Sequence, residues 1–192
     1  MDQRDNRQAL RSLVAASGAR AVADLCCYTG GFAINAAAGG AERVVGVDSS
    51  APALALAAAN AQLNDVAERC EFVRADVEGW MRQQPPGTFD VVVLDPPKLA
   101  PTRASLLKAV GKYKRLNRLA MALLRPGGLL LTCSCSGAVA QSGSFPQIVR
   151  AAAAEVGRSL AVLRTSGAAA DHPLDVAFGE GAYLSCVLAC VE

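Results

Sequence analysis

Four aspartates and one cysteine lie at the ends of short hydrophobic segments, and their residue types point most directly to chemistry. They are Asp24, Asp48, Asp76, Asp95 and Cys135. A carboxylate accepts hydrogen bonds from hydroxyl and amino groups, and a thiolate can act as a nucleophile in covalent catalysis. If the segments are parallel strands, these side chains share the sheet edge at which such folds bind ligands.

Two loops next to these residues have unusual backbone requirements. The first predicted strand runs into Tyr28-Thr29-Gly30-Gly31-Phe32, where paired glycines let backbone amides approach a ligand closely. The G-x-G-x-x-G fingerprint is absent, which argues against NAD. In Asp95-Pro96-Pro97-Lys98, two prolines form a stiff extended exit that presents Asp95 to a cleft.

Each candidate also has a purely structural interpretation, which the residues alone leave open. Asp48 and Asp76 can cap the helices that follow them, with Ser49 and Ser50 competing for the first of these caps. Cys135 can be a buried residue at a strand end, like Cys133 two positions earlier. His172, the only histidine, can be a general base, but we favour a role in its Asp-His-Pro turn.

The hydrophobic pattern predicts short strands that alternate with helices, as in a parallel sheet covered on both faces. The predicted strands are Ala21–Leu25, Arg43–Asp48, Glu71–Asp76, Phe89–Asp95, Leu129–Cys135, Leu160–Arg164 and Tyr183–Val191. The predicted helices are Phe32–Ala38, Ala51–Leu63, Val77–Gln83, Ser105–Leu124 and Phe145–Val156. Because no clear helical pattern separates the last two strands, the final strand is expected to return antiparallel.

Composition restricts the class of protein. The 192 residues are 52% hydrophobic and 19% charged, which predicts one globular domain over residues 1–192. A net charge of +2 gives no overall basic field. The seven cysteines lack zinc-site spacing, so we expect no metal and a reducing compartment. Without a signal peptide or membrane-spanning segment, a cytoplasmic location is predicted and an organellar one stays open.

A basic cluster occupies one predicted helix. It comprises Lys108, Lys112, Lys114, Arg115 and Arg118, with Tyr113 among them. Such a run is usually a solvated helix face. Its place after the Asp95 loop also suits contacts to RNA phosphates, with Tyr113 stacking on a base as a weaker alternative.

Taken together, the motifs resemble the catalytic domain of class I S-adenosylmethionine-dependent methyltransferases of the bacterial 23S rRNA (cytosine-5) type. The motifs, in chain order, are Tyr28 to Phe32, Val47-Asp48, Phe72 to Asp76, Asp95 to Lys98, Tyr113-Lys114, Gly127-Gly128 and Ser134 to Gly137. The opening Asp2 to Arg7 and the late Ala170 to Pro173 also match that pattern. The resemblance covers essentially the whole chain.

The resemblance implies a fold and a set of site residues. The fold is α/β, a Rossmann-like doubly wound sheet of seven strands with the last antiparallel. The cofactor, S-adenosyl-L-methionine, would be bound by Asp24, Tyr28, Thr29, Gly30, Gly31, Phe32, Asp48, Ser49, Asp76, Val77, Asp95 and Pro96. Pro97, Lys98, Tyr113 and Lys114 would bind substrate, and Cys135 and Asp95 would be catalytic.

The implied reaction transfers a methyl group to carbon 5 of a cytosine in 23S-type rRNA. Because that carbon is a poor nucleophile, addition of the Cys135 thiolate at carbon 6 would activate it. Rival interpretations are a methyltransferase of this fold that acts on a guanine nitrogen or another substrate without a covalent step, and a non-catalytic RNA-binding module. We expect rRNA as partner and no membrane, leave a homodimer open, and find no counterpart of the family's N-terminal PUA-type domain.

Overall fold

The computed structural model of the protein describes residues 2–100, 106–175, 177 and 181–192. Its strands are β1 (Ala21–Leu25), β2 (Arg43–Asp48), β3 (Cys70–Arg74), β4 (Phe89–Leu94), β5 (Leu124–Ser134), β6 (Leu160–Ser166) and β7 (Ser185–Val191). Its α-helices are α1 (Arg4–Ser17), α2 (Gly31–Ala38), α3 (Ala51–Leu63), α4 (Val77–Gln83), α5 (Leu106–Leu123), α6 (Gly137–Gln141) and α7 (Phe145–Glu155). A short 3-10 helix, Ala67–Arg69, precedes β3.

The seven strands form one sheet in the order β3-β2-β1-β4-β5-β7-β6. Strands β1 to β5 are parallel to one another, whereas β7 is antiparallel to both β5 and β6. The strand order reverses between β1 and β4, which is the switch point at which doubly wound sheets bind ligands. The predicted fold class and the antiparallel last strand are confirmed.

Helices cover both faces of the sheet, which explains the continuous hydrophobic runs of its central strands. Residues 91–94 of β4 have no exposed surface. On one face the core includes residues of α4, α5 and α7, and on the other it includes residues of α1, α2 and α3. Strands buried on both faces need apolar side chains at every position.

Several element boundaries differ from the sequence prediction. Strand β3 ends at Arg74, so Asp76 caps α4 instead of closing the strand. Strand β5 begins at Leu124 and includes the predicted Pro-Gly-Gly turn, with a register irregularity against β4 opposite that stretch. A left-handed Gly127, with φ of 75°, accommodates this irregularity. Ser105, the predicted start of α5, lies outside the described residues.

Helices α1 and α6 were not predicted. In α1 the buried residues Asn6, Leu10 and Val14 recur every four positions, which is an amphipathic pattern that the sequence analysis overlooked, and no side chain caps its first turn. Its end is clear, since Gly18 adopts the left-handed conformation and donates its amide to the Val14 carbonyl. Across the described part of the chain, no helix combines the length and the apolar character needed to cross a membrane.

Candidate active site

A cleft of about 510 Å³ opens at the carboxyl ends of β1 to β4, at the switch point of the sheet. It is lined by Cys26, Tyr28, Asp48, Ser49, Ala75, Asp76, Val77, Glu78, Asp95, Pro96, Pro97, Leu99, Lys112 and Leu116. The volume is typical of small-molecule sites. Of the residues predicted from the sequence, the cleft brings together Tyr28, Asp48, Ser49, Asp76, Val77 and the Asp95 to Pro97 segment.

Asp48 joins two backbone segments at the cleft wall. Its Oδ2 accepts a hydrogen bond from the Tyr28 amide at 2.9 Å, and its Oδ1 accepts one from the Ser50 amide at 2.9 Å. The Ser50 hydroxyl itself caps α3 by accepting from the Ala53 amide at 3.3 Å. Asp48 is therefore not the side chain that caps α3, and each of its oxygens retains a lone pair for a ligand hydroxyl.

Asp76 has the capping role that the sequence left open. Its Oδ2 accepts from the Gly79 amide at 2.8 Å, at the first turn of α4. The side chain is exposed and lines the cleft, so capping and ligand binding are compatible. Trp80 on the same helix packs against Phe89, with ring centroids 6.2 Å apart, as expected for a packing residue.

Asp24 supports the glycine loop from behind. Its side chain is fully buried, and its Oδ2 accepts from the Ala33 amide of α2 at 2.8 Å. Burial raises its pKa to about 7. Because Asp24 has no surface toward the cleft, the prediction that it contacts the cofactor is wrong. The same correction applies to Phe32, which is buried in the core.

The glycine loop itself is shaped by close packing. Gly30 has φ of 77°, and a Cβ at this position would lie 3.1 Å from the Ala57 Cβ and from the Phe72 ring. Thr29 is fixed through its carbonyl, which accepts from the Asn60 side-chain amide at 3.2 Å. Gly31 begins α2 and lies against the side chain of Arg7. Only glycine at position 30 allows this backbone geometry and this close approach.

Asp95 extends from β4 into the cleft and is largely buried. Its amide donates to the Leu25 carbonyl at 3.2 Å, which continues the pairing with β1. Burial raises the pKa of Asp95 to about 6, although the neighbouring Gln3 amide and the Arg7 charge act in the opposite direction. Asp95 therefore titrates close to neutral pH.

Cys135 is half-buried next to Pro96, although it is not among the residues that line the cleft. Its thiol donates to the Pro96 carbonyl at 3.7 Å, so the sulfur adjoins the segment that carries Asp95. Burial raises the pKa of the Cys135 thiol, the negative charges of Asp95 and Asp2 raise it further, and Lys98 lowers it. Cys133 is fully buried in the core, as predicted.

A buried pair of hydroxyl groups links the residues that follow Asp95 to those that follow Cys135. The Ser136 Oγ lies 2.9 Å from the Tyr113 OH and accepts from the Ala100 amide at 3.0 Å. Tyr113 has no exposed surface and packs edge-on against Phe145, with centroids 5.5 Å apart. The prediction that Tyr113 stacks on a base is therefore wrong, because helix α5 turns this ring into the core.

In the basic helix α5, the lysine that lines the cleft is not the one predicted to bind substrate. Lys114 does not line the cleft and forms an ion pair with Glu155 at 2.7 Å. Lys112 lines the cleft instead, together with Leu116 one turn later. The i, i+4 spacing of Lys112 and Leu116 is the signal that could have found them.

The start of the chain lies near Cys135. The Asp2 carboxylate accepts from the Tyr183 hydroxyl at 3.0 Å, and its charge raises the pKa of Cys135. His172 Nδ1 lies 3.0 Å from Asp171, whose other oxygen pairs with Arg4 of α1 at 3.0 Å. These contacts fit the structural interpretation of His172.

Comparison with known proteins identifies the family of this chain. The profile described as S-adenosylmethionine-dependent methyltransferase (Methyltrans_SAM) matches residues 2–177. The chain belongs to this family. The predicted cofactor, S-adenosylmethionine, is confirmed by this membership.

Curated relatives that are similar to this chain are named ribosomal RNA large subunit methyltransferase I. The protein from Photobacterium profundum is 47% identical over 187 residues, and the one from Aeromonas hydrophila is 48% identical over 187 residues. Each alignment covers 96% of this chain and 46% of the relative, so the chain spans about half the length of these relatives. The crystal structure of SMU.776, assigned as a methyltransferase and complexed with S-adenosylhomocysteine, superposes with a TM-score of 0.82 at 24% identity, over 98% of this chain and 49% of that chain. At this identity the superposition shows the fold.

The cleft fits this cofactor chemically. Asp48 and Asp76 supply acceptors for hydroxyl and amino donors, and Val77, Pro96 and Leu99 supply apolar surface for a ring. Within the described residues, no group of three or more His, Cys, Asp or Glu side chains is arranged to hold a metal ion.

Proposed function

We propose that this chain is the catalytic part of a methyltransferase that modifies carbon 5 of a cytosine in large-subunit rRNA, through a covalent adduct of Cys135. The names of the curated relatives support rRNA as the substrate class. The single observation that carries the covalent step is the contact of a free thiol, that of Cys135, with the carbonyl of the cleft residue Pro96 at 3.7 Å.

The proposed sequence of bonds accounts for every atom and charge. The Cys135 thiolate adds to carbon 6 of the ring, and carbon 5 gains the electron density to attack an electrophilic methyl group. The methyl group would come from bound S-adenosylmethionine, whose methyl–sulfonium bond would break to leave neutral S-adenosylhomocysteine. A base then removes the carbon 5 proton, the carbon 6–sulfur bond breaks, and the thiolate is restored. Asp95 accepts a hydrogen bond from the ring amino group and holds the base in position for the addition.

The surroundings of the thiol imply a pH dependence. Because burial and Asp95 raise the pKa of Cys135, the resting thiol is protonated at neutral pH. The rate of single-turnover methylation should therefore increase from pH 7 to pH 9 as the thiolate fraction grows. A rate that stays constant over this interval would contradict thiolate attack as the limiting step.

The basic cluster supports an RNA substrate. Lys108, Lys112, Lys114, Arg115 and Arg118 line a second groove of about 380 Å³ with Glu155. Lys112 lines both this groove and the cleft, so positive charge continues from the groove to the proposed target base. This arrangement suits contacts to phosphates flanking that base.

The test uses unmodified large-subunit rRNA, labelled S-adenosylmethionine and three proteins. The wild-type chain and Cys190→Ala, whose sulfur lies against the Gly127 carbonyl away from the cleft, should form 5-methylcytosine. Cys135→Ala should form none while binding S-adenosylhomocysteine normally. RNA containing 5-fluorocytosine should form a covalent complex only when Cys135 is present, because carbon 5 then carries no removable proton. Methylation of a guanine nitrogen by Cys135→Ala would favour the non-covalent rival, and cofactor binding without transfer by any protein would favour the non-catalytic one.

A further inference from the structure

Arg7 of α1 reaches the glycine loop of the cofactor site. A Cβ placed on Gly31 would lie 3.0 Å from both Cδ and Nη1 of Arg7. The arginine side chain therefore crosses directly over Gly31, the first residue of α2. A side chain at position 31 would displace Arg7, so the second glycine of the loop leaves room for the arginine.

The charge of Arg7 has no bonded counter-ion. Its side chain is half-buried, and it forms no ion pair with any carboxylate in the described part of the chain. By contrast, Arg4 on the same helix pairs with Asp5 and Asp171. Arg7 nevertheless lowers the pKa of Asp24 and of Asp95, so its guanidinium lies near both carboxylates without contacting either.

The family's cofactor needs such a group. The methionine part of S-adenosylmethionine carries one carboxylate and one ammonium group. Of the two carboxylates near the loop, Asp24 and Asp95, Asp95 lines the cleft and can accept hydrogen bonds from the ammonium group. The carboxylate needs a cation. Arg7 lies over Gly31 in the groove between α1 and α2, and Lys112 lines the cleft. A guanidinium matches a carboxylate with two parallel hydrogen bonds, which an ammonium group cannot do.

We propose that Arg7, lying over Gly31, binds the carboxylate of the cofactor's methionine part. The motif analysis assigned no role to this residue, and the inference does not depend on the RNA substrate proposed above. It also explains why α1 packs against the loop: the helix delivers the arginine to the site, with its buried face on Leu10 and Val14 fixing the helix position.

The experiment compares two ligands that differ in the relevant group. S-adenosylhomocysteine has the carboxylate, whereas 5′-methylthioadenosine lacks the whole amino-acid part. Isothermal titration would measure both dissociation constants for wild-type protein, Arg7→Met, Arg7→Lys and two controls. Methionine keeps an unbranched side chain over Gly31 and removes the charge. Arg11→Met removes a neighbouring cation from the exposed face of the same helix.

We expect Arg7→Met to weaken S-adenosylhomocysteine binding about tenfold to a hundredfold, the usual contribution of a charge-assisted hydrogen bond. Its affinity for methylthioadenosine should stay within about twofold of wild type, and Arg7→Lys should recover part of the loss. Arg11→Met should leave both constants unchanged.

The ratio of the two constants within one protein separates binding from damage to the loop. Equal weakening of both ligands by Arg7→Met would show that the arginine only supports the loop, and unchanged binding of both would refute the proposal directly. A selective loss in Lys112→Met, with none in Arg7→Met, would assign the carboxylate to Lys112 instead.

Discussion

The hydroxyl of Ser136 links the sequence next to Cys135 to the segment that carries Asp95, so its removal should affect both stability and the site. Ser136→Ala deletes the acceptor of the Ala100 amide and the partner of the Tyr113 hydroxyl. All three residues are at least 99% buried. Neither group that loses its partner can turn to water without opening the core.

The expected cost follows from those two groups. A buried polar group that loses its partner costs about 1–3 kcal/mol, so two such groups set a range of about 2–6 kcal/mol. The Ser134 hydroxyl is close enough to Tyr113 to lower its pKa and can accept part of the lost bond. We therefore expect the free energy of unfolding to fall by about 2–4 kcal/mol, a large share of the 5–15 kcal/mol typical of a domain.

A double-mutant cycle in urea isolates the interaction. Tyr113→Phe keeps the ring against Phe145 and should cost about 1 kcal/mol. In Ser136→Ala/Tyr113→Phe the unpartnered phenol is absent, so the double variant should be more stable than the sum of the single losses predicts, by about 1 kcal/mol. In Ser136→Ala, the affinity for S-adenosylhomocysteine, measured by titration, should fall by a smaller factor than the methylation rate. The reason is that the hydrogen bond from the Ala100 amide to Ser136 anchors the segment that carries Asp95.

Two results would refute this reasoning. The first is a Ser136→Ala variant that loses less than about 0.5 kcal/mol, which would mean that the hydroxyl does not satisfy two buried groups. The second is strict additivity in the cycle, which would mean that Ser136 and Tyr113 do not interact in solution.

Three further predictions concern stability. Arg158 donates five hydrogen bonds from its guanidinium group to backbone carbonyls of α5, β5 and the end of the chain. Lysine cannot reproduce this planar set of donors, so Arg158→Lys should lower the free energy of unfolding in urea by about 2–3 kcal/mol. An unchanged free energy would show that these hydrogen bonds do not contribute to stability. Burial raises the pKa of Asp24 from 3.8 to about 7, so between these pH values the folded protein keeps a proton on Asp24 that the unfolded chain has lost. The free energy of unfolding should therefore fall as the pH rises from about 4 to about 7, by at most about 4 kcal/mol. This slope should be smaller in Asp24→Asn, and an unchanged slope would assign it to other groups. A Cβ on Gly39 would lie 2.5 Å from the Arg11 carbonyl oxygen, so Gly39→Ala should lower the free energy of unfolding by about 1–3 kcal/mol. Gly111 on α5 has open space around it, so Gly111→Ala should raise the free energy of unfolding by up to about 1 kcal/mol. Equal thermal midpoints of the two variants would contradict the contact at Gly39.

Much of the site could be predicted from the sequence because its residues are adjacent to strands that the sequence reveals. Asp48, Asp76 and Asp95 follow apolar runs, and parallel strands bring such residues to one edge. Cys133 is buried in the core as predicted, and Cys135, just past the end of β5, is half-buried with its sulfur against the Pro96 carbonyl. The resemblance to a known family then supplied the cofactor.

The residues that sequence reasoning misplaced depend on what packs against them from elsewhere in the chain. Tyr113 lies in a basic run that predicts a solvated face, yet contacts to Ser136 and Phe145 bury it. Arg7 belongs to a helix that the sequence analysis did not predict, and only the approach of α1 to Gly31 shows its relation to the cofactor loop.

The sequence by itself determined the strands, the helices α2 to α5 and α7, the doubly wound class and the identity of the residues at the strand ends. These properties follow from local patterns, since a strand buried on both faces requires a continuous apolar run. The tertiary structure alone decided which of those residues face the cleft. Asp24 and Phe32 belong to the same motif as Tyr28, yet packing of α2 buries two of them and exposes the third, because burial depends on the distant segments that cover each side chain.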